Sequence, residues 1–466
     1  MSEFSDYIYQ KLKMNRITIT DLATQCEIDR SSMYKIVKGT RPSPSIKVVL
    51  KMAKVLRLNT LEKEHLIDLF MKDKMGSDDY QIHKQIKEML HYEKQKDDLA
   101  LQAVVKNKPE DYKSVAVLNG ARMVKYAFLD LINAEAREGT PHLKIYTVVM
   151  NSTFILLIEN VLKDHSKIQI DCVSGLQAVS SAGKDGLFYN LTVLDSAMKL
   201  SEYKQCSFRY LYDHDAGKCE FSFAQPNVVI GTNIMLTFSN DLKRGFIYTD
   251  QEVIKKYMEA YKDLMVNTHP LLDIISERGS MLKELETNEN AIINTLNCQL
   301  PSLRFMTVVQ KYKKTEDSIV YDSEQKVLYT SDKYIKKRVI YGLNSLENWM
   351  QGKNDAFLIA KSDQDMSLND RKEWVKKFLN RMETVNVQFL NENLFHSGNQ
   401  PEIYILPTCA ILVQKSKNGD ERIFRIEESS LVIAFNDYIN ALWEYGSFFY
   451  EKEEISDRLG FWQDDK

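Results

Sequence analysis

No stretch of this 466-residue chain stays apolar over the ~20 residues that a membrane span needs, which excludes a transmembrane reading. The opening residues MSEFSDYIYQ lack the basic-then-apolar order of a secretory leader. Cysteine is scarce and scattered: Cys26, Cys172, Cys206, Cys219, Cys298 and Cys409 form no CxxC pair. They read as buried thiols of a reducing compartment, not as disulfides or a zinc site, and a cytoplasmic location is expected. The eight histidines stand apart, and His83 and His91 lie eight residues from each other, which is not metal spacing. Asp213-His214-Asp215 reads as a turn sooner than as a metal grip. The stretch AVSSAGKD, 178–185, imitates a phosphate loop, but Ala178 stands where Gly is needed and Asp185 would repel phosphate, so a polar loop is expected. Glu427-Glu428 precede a helix start, where they favour its dipole. No nucleophile and base can be paired. The chain is therefore expected to be no enzyme and to hold no cofactor or metal.

Net charge is also lacking, at −3, but it is unevenly spread. Residues 1–60 hold 11 Lys and Arg against 5 Asp and Glu, a net of +6, which leaves −9 for the remainder. A basic head on an acidic body suits a nucleic-acid-binding module joined to a body that does not grip nucleic acid.

What is present is concentrated in ITITDLATQCEIDRSSMYKIVKGTRP, residues 17–42. Thr18 and Asp21 make a capping box, with Ile17 and Leu22 as the hydrophobic staple around it. Leu22, Ala23 and Cys26 give one buried helical face. After a turn at Glu27-Ile28, Asp29 caps a second helix from Arg30 to about Lys38, on which Met33, Ile36 and Val37 point inward. Gly39 stops it, and Pro42 delays the next helix. The outward set is Arg30, Ser31, Ser32, Tyr34, Lys35 and Lys38. A helix fits the major groove of DNA and meets base edges with its N-terminal residues, so Arg30 is placed to fork onto guanine and the two serines to donate or accept. Lys38, Thr40 and Arg41, where the chain leaves the helix, suit phosphate oxygens.

The pair Leu22-Ala23, Ile28 after the turn, and KIVKGTRPS from Lys35 to Ser43 resemble the DNA-binding domain of the phage-repressor family of bacterial regulators, the Cro-like or xenobiotic-response-element type. The resemblance covers roughly residues 4–73. Three positions depart from it: Glu27 where the family usually has Gly, Ile19 where it often has Gln, and Tyr34 where Ser is common. Glu27 would carry a side-chain cost in a left-handed turn. Tyr34 either stacks on a sugar or covers the core.

The flanks complete a five-helix module. A first helix spans 5–14 with Phe4, Ile8 and Leu12 inward. Ser43 caps a fourth over 44–57, with Ile46, Val49, Leu50, Ala53 and Leu56 at core spacing and Lys47, Lys51 and Lys54 as a solvated stripe. Thr60 caps a fifth to about Lys74, burying Leu66, Leu69 and Phe70. MGSDDY, 75–80, reads as a linker, and 81–96 as a helix whose face of Ile82, Ile86, Met89 and Leu90 packs on its own chain or on a second copy. A helix over 119–137 follows, then alternating strands and helices that give a βαβ unit and parallel pairing. The stretch 356–466 repeats the layout. Phe246, Val253, Ile254, Tyr257, Tyr261 and Leu264 align with Phe424, Leu431, Val432, Phe435, Ile439 and Leu442, and Asp250 aligns with Glu428. This reads as an internal duplication or as the coincidence that any two strand-then-helix pairs would show. The element order, with Gly231–Ile234, weakly resembles the phospholipase-D-like fold. Its HxK motif is missing, since Ala216 stands two residues after His214, and Gly398 two after His396, where the motif has Lys. Tyr203, Phe208, Tyr210, Tyr212, Phe221 and Phe223 crowd one region, as a core of paired strands or as a pocket lining.

The expected chain is thus multidomain, an all-α five-helix DNA-binding domain followed by an α/β body. Its expected domains are the helix-turn-helix over 1–74, a helical linker region over 75–138, and two α/β halves over 139–285 and 286–466. The expected function is sequence-specific transcription regulation, repressor-like, by a homodimer on double-stranded DNA, with a body that senses a small-molecule effector. The rival readings are a nuclease or phosphodiesterase-like enzyme with a DNA-binding head, and a non-catalytic, antitoxin-like adaptor.

Overall fold

A computed structural model describes residues 2–41, 45–90, 114–147, 167–201, 205–212, 226–287, 294–297, 338–343, 387–390, 401–415, 421–444 and 452–459, with isolated residues between these stretches. The chain divides into two units: Met1–Tyr92 with Ser276–Ile423 and Ile433–Lys466, and Glu93–Ile275 with Phe424–Val432. No described helix is long and apolar enough to cross a membrane.

The first unit opens with helices α1 (Glu3–Asn15), α2 (Ile19–Gln25), α3 (Arg30–Val37), α4 (Ile46–Val55), α5 (Thr60–Met75) and α6 (Ser77–Leu90). Their common core holds Phe4, Ile8, Leu22, Met33, Ile36, Val49 and Leu66. Several boundaries differ from the sequence reading. Asn59, not Thr60, caps α5, because Glu62 reaches back to the Asn59 amide at 3.0 Å while the Asn59 side chain accepts from the Glu62 amide at 2.9 Å. The linker at 75–80 shrinks to Gly76, which ends α5 at φ 87°. Asp78 and Asp79 then favour the first turn of α6. The expected cap Ser43 lies outside the described residues; α4 starts at Ile46, and Met52 is buried where Leu50 is only half-buried.

The seam on α6 packs on its own chain. Ile82, Ile86, Met89 and Leu90 are buried, the His83 ring meets Tyr438 edge-on at 5.7 Å, and buried Gln414 donates to the Met89 carbonyl at 3.0 Å.

The other unit carries β1 (Val115–Asn119), α7 (Ala121–Glu135), β2 (His142–Thr147), β3 (Gln169–Leu176), α8 (Val179–Leu200), β4 (Cys206–Tyr212), β5 (Asn227–Ile230), β6 (Met235–Phe238), β7 (Arg244–Tyr248), α9 (Gln251–Val266), β8 (His269–Pro270) and β9 (Asp273–Ile275). Its sheet runs β1-β7-β6-β5-β2-β3-β4-β8. β2, β3 and β4 are parallel, and β5, β6 and β7 add antiparallel beyond β2. Val115–Asn119, expected within the helical linker region, is a strand, pairing antiparallel with Arg244–Tyr248. The AVSSAGKD stretch is not a loop: from Val179 it is helical, broken at Gly183 with φ 59°.

The remaining elements are α10 (Arg278–Thr287), β10 (Asn294–Asn297), β11 (Arg338–Gly342), β12 (Val387–Leu390), β13 (Glu402–Ile405), β14 (Ala410–Lys415), β15 (Glu421–Ile426), α11 (Ser429–Glu444) and α12 (Lys452–Arg458). Within the second sheet the order is β12-β11-β10-β13-β14-β15. β10, β11 and β12 are parallel, and β13 and β14 follow antiparallel. This repeats the order β4-β3-β2-β5-β6-β7 of the first sheet. Asp250 and Glu428 also play one part: Asp250 accepts from the Glu252 and Val253 amides at the start of α9, and Glu428 from the Ser430 and Leu431 amides at the start of α11.

A buried charge cluster fastens α10 to the second sheet. Arg278 donates to both oxygens of Glu402 (2.8 and 3.0 Å) and of Glu421 (2.9 Å each), and Tyr404 donates to Glu402 at 2.7 Å. Burial works against the Arg278 charge, but Glu402, Tyr404 and Glu421 outweigh it and hold its pKa above the ordinary value.

Candidate nucleic-acid interface

Helix α3 is fixed by its own sequence. Asp29 accepts from the Ser32 amide at 2.8 Å and from the Ser31 hydroxyl at 2.7 Å. Those bonds, Ser32 first, hold its carboxyl well below the usual carboxylate range. Met33, Ile36 and Val37 are fully buried, and the buried Ser5 hydroxyl donates to the Ile36 carbonyl at 3.0 Å, tying α1 to α3. The supporting helix α2 carries the Thr18–Asp21 capping box, with the Asp21 amide 3.1 Å from Thr18 Oγ1 and the Thr18 amide 3.2 Å from Asp21 Oδ2.

The turn between them is left-handed at Glu27, φ 57°. The Glu27 amide donates to the Thr24 carbonyl and the Ile28 amide to the Ala23 carbonyl, which is the Schellman pattern. A side chain costs energy in this conformation. Here that side chain is used, because Glu27 pairs with Lys51 of α4 at 2.5 Å. The same bond lowers the Glu27 pKa. Lys51 therefore is not merely part of a solvated stripe.

The structure brings the sequence-derived set together on one surface. Arg30, Ser31, Tyr34, Lys35, Lys38, Thr40 and Arg41 are exposed, and Ser32 is half-buried. Tyr34 is 52% exposed, so it does not cover the core. Thr40 donates its hydroxyl to the Lys35 carbonyl at 3.1 Å, closing the helix end. The Arg41 guanidinium rests on the Ser32 hydroxyl at 3.3 Å. Two residues of α1 join this surface without having been singled out. Lys38 Nζ lies 5.5 Å from the Tyr9 ring and 5.7 Å from the Tyr34 ring, and Lys13 Nζ lies 4.4 Å from the Tyr9 ring. The signal was available, since Tyr9 and Lys13 are four apart and off the face of Phe4, Ile8 and Leu12.

Residues 8–63 match the helix-turn-helix family. This segment is a helix-turn-helix domain. A comparison with curated proteins finds no match. Solved structures similar to the chain include TrmBL2, described as an archaeal chromatin protein with a novel mode of DNA binding, at 10% identity and TM-score 0.23 over 58% of this chain and 94% of that one. Polyphosphate kinase from Porphyromonas gingivalis matches at 9% identity and TM-score 0.23, over 70% of this chain and 50% of that one. Phosphatidylserine synthase from Haemophilus influenzae Rd KW20 matches at 9% identity and TM-score 0.22, over 77% and 93%. At these scores none of the three carries an argument about this chain.

Outside the helix-turn-helix domain, the aromatic cluster resolves in part. Phe208 and Tyr210 are buried on β4, Tyr210 packs on Tyr212 at 5.7 Å, and Tyr212 donates to Glu428 at 2.7 Å, so these three belong to packed strands. Phe221, Phe223, the 213–215 triplet, Cys219, Cys298 and His396 lie outside the described residues. Cys26, Cys172, Cys206 and Cys409 are buried thiols outside any disulfide. Burial pushes the Cys26 thiol up to about 11 and the Cys206 thiol up to about 12, which keeps both protonated and unreactive.

Proposed function

We propose that the chain is a sequence-specific, double-stranded-DNA-binding transcription regulator of the cytoplasm. The helix-turn-helix domain reads the operator as a homodimer, and the α/β body acts as a sensing and dimerisation module without catalysis. The observation that carries this reading is the capped helix α3, which presents Arg30, Lys35 and Lys38 from a head of net charge +6. Arg30 and Ser31 meet base edges, Lys35 meets a base or a phosphate, and Lys38, Thr40 and Arg41 hold phosphates. One such module buries little DNA surface, which favours two half-sites about 34 Å apart.

We further propose that the body is one α/β half present twice, the arrangement that the phospholipase-D-like resemblance implies. The matching strand order of the two sheets and the matching caps Asp250 and Glu428 support this.

The decisive experiment is to purify the chain, sequence the genomic DNA that accompanies it, and footprint the recovered site. Two protected half-sites one helical turn apart are expected. Recovery of random DNA, or a single asymmetric footprint from a monomer in sedimentation, refutes the operator-reading homodimer.

A further inference from the structure

The first sheet has an open cavity of about 540 Å³ where β2 and β3 begin. Thr140, His142, Lys144, Lys167, Gln169 and Thr232 line it, with Met258 of α9 on one side. Two ammonium groups and an imidazole thus face a space within the usual size of a small-molecule site.

No carboxylate is among the described lining residues, although two stand just behind them. Glu135, 2% exposed, accepts from the Thr232 amide (2.6 Å), the Thr232 hydroxyl (2.9 Å) and the His142 amide (2.9 Å). Asp171 takes His142 Nε2 at 2.7 Å and the Ser207 hydroxyl at 2.6 Å. Both acids are engaged in fixing the wall, which leaves the positive groups toward the cavity. Lys144 is half-buried among them. Burial lowers its pKa, Lys262 adds to that, and Asp171 and Glu135 only partly oppose it. An anion in the cavity would supply the missing counter-charge.

The corresponding place in the second sheet is bridged by side-chain hydrogen bonds. There β10 and β11 begin at Asn294 and Arg338, which are paired as His142 and Gln169 are. Asn294 donates to Asn436 at 2.7 Å and to Asn440 at 3.0 Å, and Arg338 donates to Asn440 at 2.9 Å. In the alignment that sets Asp250 on Glu428, these asparagines fall on Met258 and Lys262. One half fills the position with its own amides; the other leaves it open and basic.

We propose that this cavity binds a small phosphate-bearing molecule. Its phosphate sits between Lys144 and Lys167 and its polar remainder meets Thr140 and Gln169. Lysine ammoniums serve phosphate as point charges, and two of them with His142 match a dianion better than a single carboxylate. The inference rests on the sensing role proposed above only in naming the ligand class of that sensor.

The test uses the full chain and thermal unfolding at matched ionic strength, with inorganic phosphate, glucose 6-phosphate and chloride. Phosphate or glucose 6-phosphate is expected to raise the midpoint saturably, with equilibrium dialysis giving one site per chain. Lys144→Met and Lys167→Met are each expected to weaken the apparent affinity on the order of tenfold. Lys243→Met, an exposed lysine beside Asp241, leaves it unchanged. Should Lys144→Met fail to fold, exposed Lys167 carries the test alone. Tighter binding of glucose 6-phosphate supports an organic phosphate, and equal binding supports free phosphate. No saturable shift, or equal affinity in all three variants, overturns the proposal, as does a short DNA duplex that competes for the same lysines. A site that binds phosphate while operator affinity stays constant leaves the cavity standing and removes only its sensing role.

Discussion

Salt offers the sharpest probe of the DNA-facing surface. Four exposed cations stand on α3 and its exit: Arg30, Lys35, Lys38 and Arg41. With Arg30 on a base edge and Lys35, Lys38 and Arg41 each neutralising one phosphate, the plot of log affinity against log salt has a slope of about −2.7 per head, and about −5 for a dimer. Between 50 and 200 mM salt, one head then loses about 40-fold in affinity. Lys38→Ala should make the slope shallower by about 0.9 per head and weaken every sequence alike. Arg41→Ala should do the same, because its bond to the Ser32 hydroxyl is long and exposed and gives way to a phosphate at little cost. Lys72→Ala is the control, since that lysine pairs with Glu3 at 2.9 Å on the α1–α5 side of the head. The assay is fluorescence anisotropy of the recovered operator against salt. Unchanged slopes in Lys38→Ala and Arg41→Ala, or a slope near zero in the parent, would refute this assignment of the surface.

Three further outcomes are expected. Arg30→Ala should cost about 1–3 kcal/mol on the specific site and relax preference at one base position, read by competition among single-base variants; a uniform loss across all variants would make Arg30 a phosphate contact. Arg278→Leu strands fully buried Glu402 and nearly buried Glu421 without a counter-charge and should destabilise the chain by about 3–5 kcal/mol in urea. Adding Glu402→Gln and Glu421→Gln should recover much of that, and a double-mutant background that recovers nothing contradicts the charge argument. The pKa values of Asp21, Asp29 and Glu62 are all lowered by cap hydrogen bonds or by Lys11. Depressed folded values mean that their stabilisation is present above the ordinary carboxylate pKa of about 4 and is lost as pH falls through and below it. Thermal midpoints should therefore drop between pH 5 and pH 3, and less steeply in Asp29→Asn, which still caps; identical pH slopes would remove the caps as the cause.

What could be read beforehand was local chemistry. Thr18 with Asp21, Asp29 with Ser32, and the spacing of Met33, Ile36 and Val37 act within one or two turns, so sequence neighbours suffice to define them. The cap of α5 falls on Asn59 and not on Thr60 because both residue types cap well, and Glu62 reaching the Asn59 amide decides it. Strand β1 escapes a sequence reading because its partner, Arg244–Tyr248, lies far along the chain, and because apolar Val115 and Val117 stand on its exposed face, so that burial alternates while hydropathy does not. The cavity draws its walls and their supports from β2, β3, α7, α9 and the turn after β5, and Arg278 meets residues 124 and 143 positions away. No local pattern announces either. The proposed duplication sits between these cases: its side-chain signal is faint, while the strand order repeats plainly.

The bond from Gln414 to the Met89 carbonyl spans 325 residues of sequence. Ribosomes add about 5–20 residues per second, so about 16–65 s pass between the emergence of the two partners. Through that interval the nascent chain carries a head whose core is complete while the sheet that receives α6 does not yet exist. A message cut short in this window would yield a fragment able to fold its helix-turn-helix yet lacking the body proposed to pair two heads. Premature stops between 91 and 400 should therefore leave monomeric heads that hold one half-site weakly, and the full chain should displace them from an operator of two half-sites.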